Sequence, residues 1–206
     1  MIDCNHACLM ADYNTWVNER LYSLCAGMTD EERRCDRGAF FGSIHGTLNH
    51  IMVLDLMFLA RFTGDEADMP GFGDDLFETF EMLHQERPLL DSRIRAWAEE
   101  LTEEWLTRTT TFTSVIDGKN HTLPLWAFVT QMFNHQTHHR GQVTTLLNQM
   151  GHDIGSTDIP FMPCFEDALE ENDHGQINTA TGNKHGSAQV RCGRAWLCHD
   201  GRRSRS

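Results

Sequence analysis

The sequence of 206 residues has no long uninterrupted run of apolar side chains. Its longest apolar stretch, residues 51–60, is broken by Asp55, whereas a helix that crosses a bilayer needs about 20 apolar residues. The first residues lack a basic segment and include Asp3 and Asp12, so no secretory signal peptide is expected there. These absences predict a cytoplasmic protein that does not bind membranes.

Basic residues are also scarce, which limits the partners that the chain can attract. Lys and Arg number 17 against 30 Asp and Glu, and the formal net charge is −13. Residues 1–174 carry 29 acids and 11 bases, while residues 175–206 carry one acid and six bases. Because an acidic body repels phosphate backbones, we expect no tight binding of nucleic acid.

Motifs that identify several common enzyme classes are missing as well. The seven cysteines include no C-x-x-C pair and no zinc-finger spacing, so they are expected to be reduced thiols. No glycine-rich phosphate loop, nucleotide fingerprint or Ser–His–Asp motif occurs, so no nucleotide cofactor is expected. The unusual feature of the composition is instead its 12 histidines.

Four segments repeat apolar residues every three or four positions, which is the period of an amphipathic helix. They span about residues 6–25, 43–62, 75–105 and 124–150. Pro88 is expected to kink or split the third segment, and Asp117-Gly118 between two short β-branched runs predicts a hairpin. The predicted fold class is therefore all-α, a four-helix bundle with a small β-hairpin before the last long helix.

The helical period is lost from residue 172 onward, where Gly, Ser, Asn and Arg dominate. Such a composition cannot bury enough apolar surface to offset the entropy of ordering the chain. The sequence thus predicts one bundle domain over residues 1–171 and a disordered basic tail over residues 172–206.

Two histidines occupy core positions in the fourth predicted helix. His135 and His139 continue an apolar stripe that includes Met132 and Val143. Residues spaced four apart on a helix have Cβ atoms about 6 Å from each other, so both imidazoles can bind one transition-metal ion. The alternative is a pair of buried histidines that are satisfied by hydrogen bonds.

A metal ion needs at least three protein ligands to be held well. His45 and His50 on the second helix are candidates for the third ligand, and His138 offers an i, i+3 alternative on the fourth helix. His45 is equally suited to cap the start of its helix, and His50 to be a satisfied polar group in the core. The spacing alone leaves these alternatives open.

Residues around these histidines resemble a known family. The segment HQTHHRGQ at residues 135–142, with LNHI upstream at residues 48–51, is similar to the metal-site motif of the DinB family of bacterial four-helix metalloproteins. Residues 13–21 resemble the opening helix of that family, and the likeness covers about residues 5–165. The tail after residue 172 matches nothing in the family pattern.

The resemblance implies a site in which His50, His135 and His139 hold a divalent ion. Nickel or zinc is the favoured ion, and iron and manganese are alternatives. It also implies a homodimer and a small-molecule substrate, because several relatives are transferases or isomerases that use low-molecular-weight thiols. The residue after His135 is Gln136 rather than the Glu of H-E-x-x-H helices, which argues against a protease and favours thiol transfer.

Two functional hypotheses of different classes follow. The first is a metal-dependent transferase or hydrolase, with thiol transfer favoured, since an ion held by three neutral imidazoles keeps its full charge and open positions. The second is a non-catalytic, metal-binding stress-response protein with a structural ion. Beside the ligands, Gln142 is expected either to bond a ligand imidazole or to pack between helices, and Arg140 to pair with an acid. Asp55 is expected to lie at the boundary of a helix face, with a carboxylate that supports a metal ligand as the alternative.

Overall fold

The computed structural model describes residues 2–65, 75–114 and 117–165. These residues belong to two units, one ending at Gly155 and the other starting at Ser156. The described part of the second unit contains the 3₁₀ turn Ile159–Phe161. The segment 172–206, for which the composition predicts disorder, lies outside the described residues, and the boundary predicted just before it stays a prediction.

The described part of the first unit consists of helices and one hairpin. Its elements are α1 (Cys4–Ala26), α2 (Asp30–Arg34), α3 (Ile44–Thr63), α4 (Phe80–Glu100), α5 (Glu103–Thr107), β1 (Thr109–Thr113), β2 (Asn120–Pro124) and α6 (Leu125–Gln149). The long helices α1 and α3 each pack against both α4 and α6, which makes a four-helix bundle. None of the described helices has the length and hydropathy that a bilayer span requires. The predicted fold class is confirmed.

Side chains next to the long helices determine where they begin and end. Asp3 Oδ1 accepts a hydrogen bond from the backbone N–H of His6 at 2.7 Å and starts α1, and Ser43 Oγ accepts one from Gly46 at 3.1 Å and starts α3. Gly64 ends α3 with a φ of 81°, which glycine adopts without steric cost. Because these signals are local, the observed bounds of α1, α3 and α6 fall close to the predicted ones.

The third predicted segment is divided, but not at its proline. Pro88 lies inside the continuous helix α4, which ends at Glu100. The break falls before α5, where Thr102 Oγ accepts a hydrogen bond from the backbone N–H of Trp105 at 3.1 Å. The helix α2 was not expected from the apolar period, since its five residues are too few to show one; the capping box between Thr29 and Glu32 identifies it instead.

The hairpin lies where the sequence predicts it. Strands β1 and β2 pair antiparallel, with Thr109 opposite Pro124 and Thr113 opposite Asn120. The ring of Phe112 packs on that of Phe128 in α6, with 4.8 Å between the centroids. This contact ties the hairpin to the beginning of the last long helix.

A group of buried polar side chains joins all four long helices, and we call it the polar network. Its members are Asn14, Asn18, Asp55, Arg87, Asp91, Gln136 and Arg140. Arg87 donates hydrogen bonds of 2.7 Å to both Asp55 Oδ2 and Asp91 Oδ1, and Gln136 Nε2 donates one of 2.7 Å to Asp55 Oδ1. Since buried charges are costly unless they are paired, these contacts make the network a strong constraint on how the helices pack.

Four of the five cysteines among the described residues follow the expectation of reduced thiols. Cys4, Cys8, Cys25 and Cys35 are thiols. Cys25 is buried on α1, and this burial raises the pKa of its thiol to about 12, so it is an unreactive core residue. Cys164 forms a disulfide, and the expectation is wrong for that residue.

Candidate metal centre

Three of the candidate residues meet where α3 packs against α6. His50 lies on α3, and His135 and His139 lie one turn apart on α6. The centroids of their rings are 5.0, 4.6 and 4.3 Å apart. One nitrogen of each ring can be chosen so that the three nitrogens all lie within 4.8 Å of one another. The structure therefore brings together the same three histidines that the family likeness selects.

The closest contact in this cluster joins the two helices. His50 Nε2 lies 3.0 Å from His135 Nε2. A tetrahedral zinc ion with bonds of about 2.0–2.1 Å keeps its nitrogen ligands about 3.3 Å apart, close to this spacing. The same distance suits a hydrogen bond in which one imidazole is protonated at Nε2 and the other is not. The contact fits either a metal site or a pair of hydrogen-bonded histidines.

The three rings occupy an environment that disfavours their protonated forms. Burial, and then the neighbouring imidazole of His139, lowers the pKa of His135 to about 3 and that of His50 to about 4. Burial also lowers the pKa of His139, although its hydrogen bond to Gln142 acts in the opposite direction. All three are neutral at pH 7, and neutral imidazole is the form that binds a metal ion.

Two further residues of the motif lie beside His139. Its Nδ1 lies 2.8 Å from Gln142 Oε1, so of the two roles expected for Gln142 the structure shows the hydrogen bond to an imidazole. His138 is exposed and its ring packs edge-on against that of His139, with 4.8 Å between the centroids. His138 is not part of the cluster of ligand atoms.

His45 is also outside the cluster. Its ring is 1% exposed, and its Nε2 lies 3.2 Å from the carbonyl oxygen of Phe77 and 3.0 Å from Asn49 Nδ2. The suggestion that it caps the start of its helix is wrong, because Ser43 does so. His45 is thus a buried residue that helps to hold residue 77 against α3.

The sequence gives no direct signal for an aromatic side chain that covers the site. Phe41 precedes α3, and its ring stacks on the ring of His50 with 3.8 Å between centroids and 22° between planes. It also meets the ring of His139 edge-on at 5.5 Å. The indirect signal is Gly46 in the first turn of α3, since glycine there weakens a helix unless another backbone must approach it.

We expect Gly46→Ala to destabilise the protein and to disturb the stacking of Phe41 on His50. A Cβ at Gly46 would lie 2.4 Å from the carbonyl oxygen of Phe41, so the loop must move, at a cost of about 1–3 kcal/mol. Gly141→Ala is the matched control on α6: beyond its chain neighbours and the nearby backbone of its own helix, no atom lies within 4 Å of its added Cβ, and a gain of about 0.5–1 kcal/mol is expected. Urea unfolding measures the stability of both variants. Equal stability of the two would contradict the close approach of the Phe41 carbonyl oxygen to Gly46.

The residues that follow each histidine on α6 belong to the polar network. Gln136 bonds Asp55, and Arg140 donates to Asn14 Oδ1. The expectation that Arg140 pairs with an acid is not met among the described residues, where its hydrogen-bond acceptors on α1 are the amide oxygens of Asn14 and Asn18. The boundary position expected for Asp55 is wrong, since its side chain is fully buried and paired with Arg87. One face of α6 thus carries the histidines while the adjacent face is held by the network.

Comparison with known proteins places these features in a family. The model of the DinB family matches residues 1–173. The crystal structure of a DinB-like protein from Bacillus cereus ATCC 10987 superposes with a TM-score of 0.52 at 21% identity, covering 70% of this chain and 90% of that one. At that identity the likeness shows the fold alone. No curated protein matches the chain.

Proposed function

Because the chain belongs to the DinB family, we propose that His50, His135 and His139 bind one divalent transition-metal ion. Nickel and zinc are the favoured metals, and iron and manganese are the alternatives. The observation that carries this proposal is the convergence of one nitrogen from each of three neutral imidazoles within 4.8 Å.

The donor set fits such an ion. Imidazole nitrogens suit zinc, nickel, copper and iron, and no carboxylate or thiolate belongs to the cluster within the described residues. His139 Nδ1 is bonded to Gln142, which leaves Nε2 of that ring as the nitrogen available to a metal. His135 and His139 would be held by α6, and His50 by α3.

We propose that the centre is catalytic and that the protein is a metal-dependent transferase or hydrolase acting on a small molecule, with a low-molecular-weight thiol as the favoured substrate. A divalent ion in this site would act as a Lewis acid and lower the pKa of a group that binds it. His50 and His135 are partly exposed, so a small molecule can reach them from solvent. The ring of Phe41 provides an apolar wall beside them.

The alternative is a structural ion in a non-catalytic stress-response protein. A structural zinc site has four protein ligands, whereas a catalytic one has three and keeps a position for an external ligand. The cluster contains three histidines and no fourth side-chain ligand in the part of the chain that the structure describes. This count favours the catalytic centre over the structural ion.

The proposal is tested first by elemental analysis of protein purified without a histidine tag. We expect about one equivalent of metal per chain, as for a single three-ligand site. Metal-loaded and metal-free samples are then compared for conjugation of cysteine or glutathione to an activated aryl chloride and for hydrolysis of a nitrophenyl ester. Conjugation by the loaded sample alone supports thiol transfer, and ester hydrolysis alone supports a hydrolase.

Two results would count against this function. Absence of any bound or bindable metal would leave the three histidines as a hydrogen-bonded cluster. A fully loaded protein that is inert towards both substrate panels would favour the structural ion.

The proposed partners follow from the family resemblance and the charge. We propose a homodimer that binds a small molecule. It is expected to bind neither membranes nor, with high affinity, nucleic acid. The net charge of −13 supports the exclusion of nucleic acid. Light scattering of the metal-loaded protein measures the assembly, and a monomer at micromolar concentration would contradict the dimer.

A further inference from the structure

One ring nitrogen of His139 has a specific partner. Nδ1 of His139 lies 2.8 Å from Gln142 Oε1, one turn further along α6. A carbonyl oxygen can only accept a hydrogen bond, so with Oε1 in this position the neutral imidazole carries its proton on Nδ1. The lone pair is then on Nε2.

The orientation of the Gln142 amide decides this arrangement. If the amide were turned over, its NH2 group would donate to Nδ1, and the proton of His139 would be forced onto Nε2. A proton there would occupy the lone pair that a metal ion needs. The two orientations of one side-chain amide therefore correspond to a binding and a non-binding form of the ligand.

A second histidine contacts the amide nitrogen of Gln142. His138 Nε2 lies 3.4 Å from Gln142 Nε2. The NH2 group can donate to this Nε2 when the neutral His138 ring carries its proton on Nδ1, whereas in the other tautomer the Nε2–H would donate to a carbonyl oxygen turned towards it. The orientation in which Oε1 faces His139 therefore goes with the Nδ1-protonated tautomer of His138.

We propose that Gln142 is a positioning residue that keeps His139 in its Nδ1-protonated form, and that the Nδ1-protonated tautomer of His138 holds the Gln142 amide in the orientation that this requires. The role of these residues in metal affinity rests on the proposed function, but the position of the proton is a property of the metal-free protein. His135 provides a contrast, because its buried Nδ1 has no hydrogen-bond partner among the described residues.

If Gln142 had a purely structural role, its substitution would mainly lower the stability of the protein. Its side chain is only partly buried, and the neighbouring Gly141 is exposed, so Gln142 is not part of the apolar core. Residues that orient a ligand histidine contribute about 10–100-fold to metal affinity or activity. We therefore expect substitutions at Gln142 to change the proton position and zinc affinity more than stability.

The experiment compares Gln142→Leu, Gln142→Glu and His138→Phe with wild type. Long-range ¹H–¹⁵N spectra of the metal-free proteins at pH 7.5 report which nitrogen of His139 is protonated, and competition with a chromophoric chelator reports zinc affinity. We expect His139 to be protonated on Nδ1 in wild type and in Gln142→Glu, because the glutamate keeps a hydrogen-bond acceptor. The zinc affinity of Gln142→Glu should equal or exceed that of wild type. Gln142→Leu should show both tautomers and about 10–100-fold weaker zinc binding, and His138→Phe a smaller change in the same direction.

Gln149→Leu is the matched control, since Gln149 is an exposed glutamine of the same helix, and it should match wild type in both measurements. The proposal is overturned if Gln142→Leu keeps both the Nδ1 tautomer and wild-type zinc affinity, or if Gln142→Glu fails to restore them. If wild type shows the predicted tautomers but binds no zinc, the metal function fails while the positioning role stands.

Discussion

Replacing His135 or His139 by alanine is expected to abolish stoichiometric binding of zinc or nickel, and His50→Ala is expected to weaken it to nearly the same extent. Each change leaves two imidazoles, and two protein ligands do not hold a divalent ion well. The cluster of described side chains whose ligand atoms lie within 4.8 Å of one another has only these three members. Elemental analysis after desalting and titration with zinc measure the loss.

The control for this experiment is His121→Ala, which removes an exposed histidine of the hairpin. It should retain a full equivalent of metal. Zinc should also raise the melting temperature of wild type and of this control, because a ligand at 100 times its dissociation constant stabilises the folded state by about 2.7 kcal/mol. Retention of a full equivalent by His50→Ala would assign the third ligand to a different residue.

Arg87→Met is expected to have the largest effect on stability. Arg87 is 2% exposed and is paired with Asp55 and Asp91, which are 0% and 2% exposed. Its removal leaves two carboxylates buried without a counter-charge, and breaking a buried ion pair in this way costs about 3–5 kcal/mol. Urea unfolding at pH 7 measures this loss.

Arg93→Met is the matched control, since it makes the same substitution at an exposed position of α4. A change within about 0.5 kcal/mol is expected there. A loss below about 1 kcal/mol for Arg87→Met would show that the carboxyl groups are neutral in the folded protein, because neutral groups do not need the guanidinium. The two variants together separate the role of the ion pair from the helix preference of methionine.

The apolar periods and the Asp117-Gly118 turn were sufficient to predict the bundle and the hairpin. A helix period, an N-cap such as Ser43 and a stop such as Gly64 act within a few residues, so they can be read along the chain. The same reasoning placed His135 and His139 on one inward face of α6. The choice of His50 over His45 as their partner came from the family resemblance, because spacing within one helix does not say what the other helix presents.

Contacts between distant segments decided the remaining features. The contact of Phe41 with His139, the meeting of His50 with His135 and the pairing of Arg87 with Asp55 each join parts of the chain that no local rule relates. Local sequence determines which face of a helix is apolar, since that depends only on the 3.6-residue period. The packing of four such helices determines which polar groups on those faces meet, since that depends on crossing angle and register, which appear only when all the helices are in place.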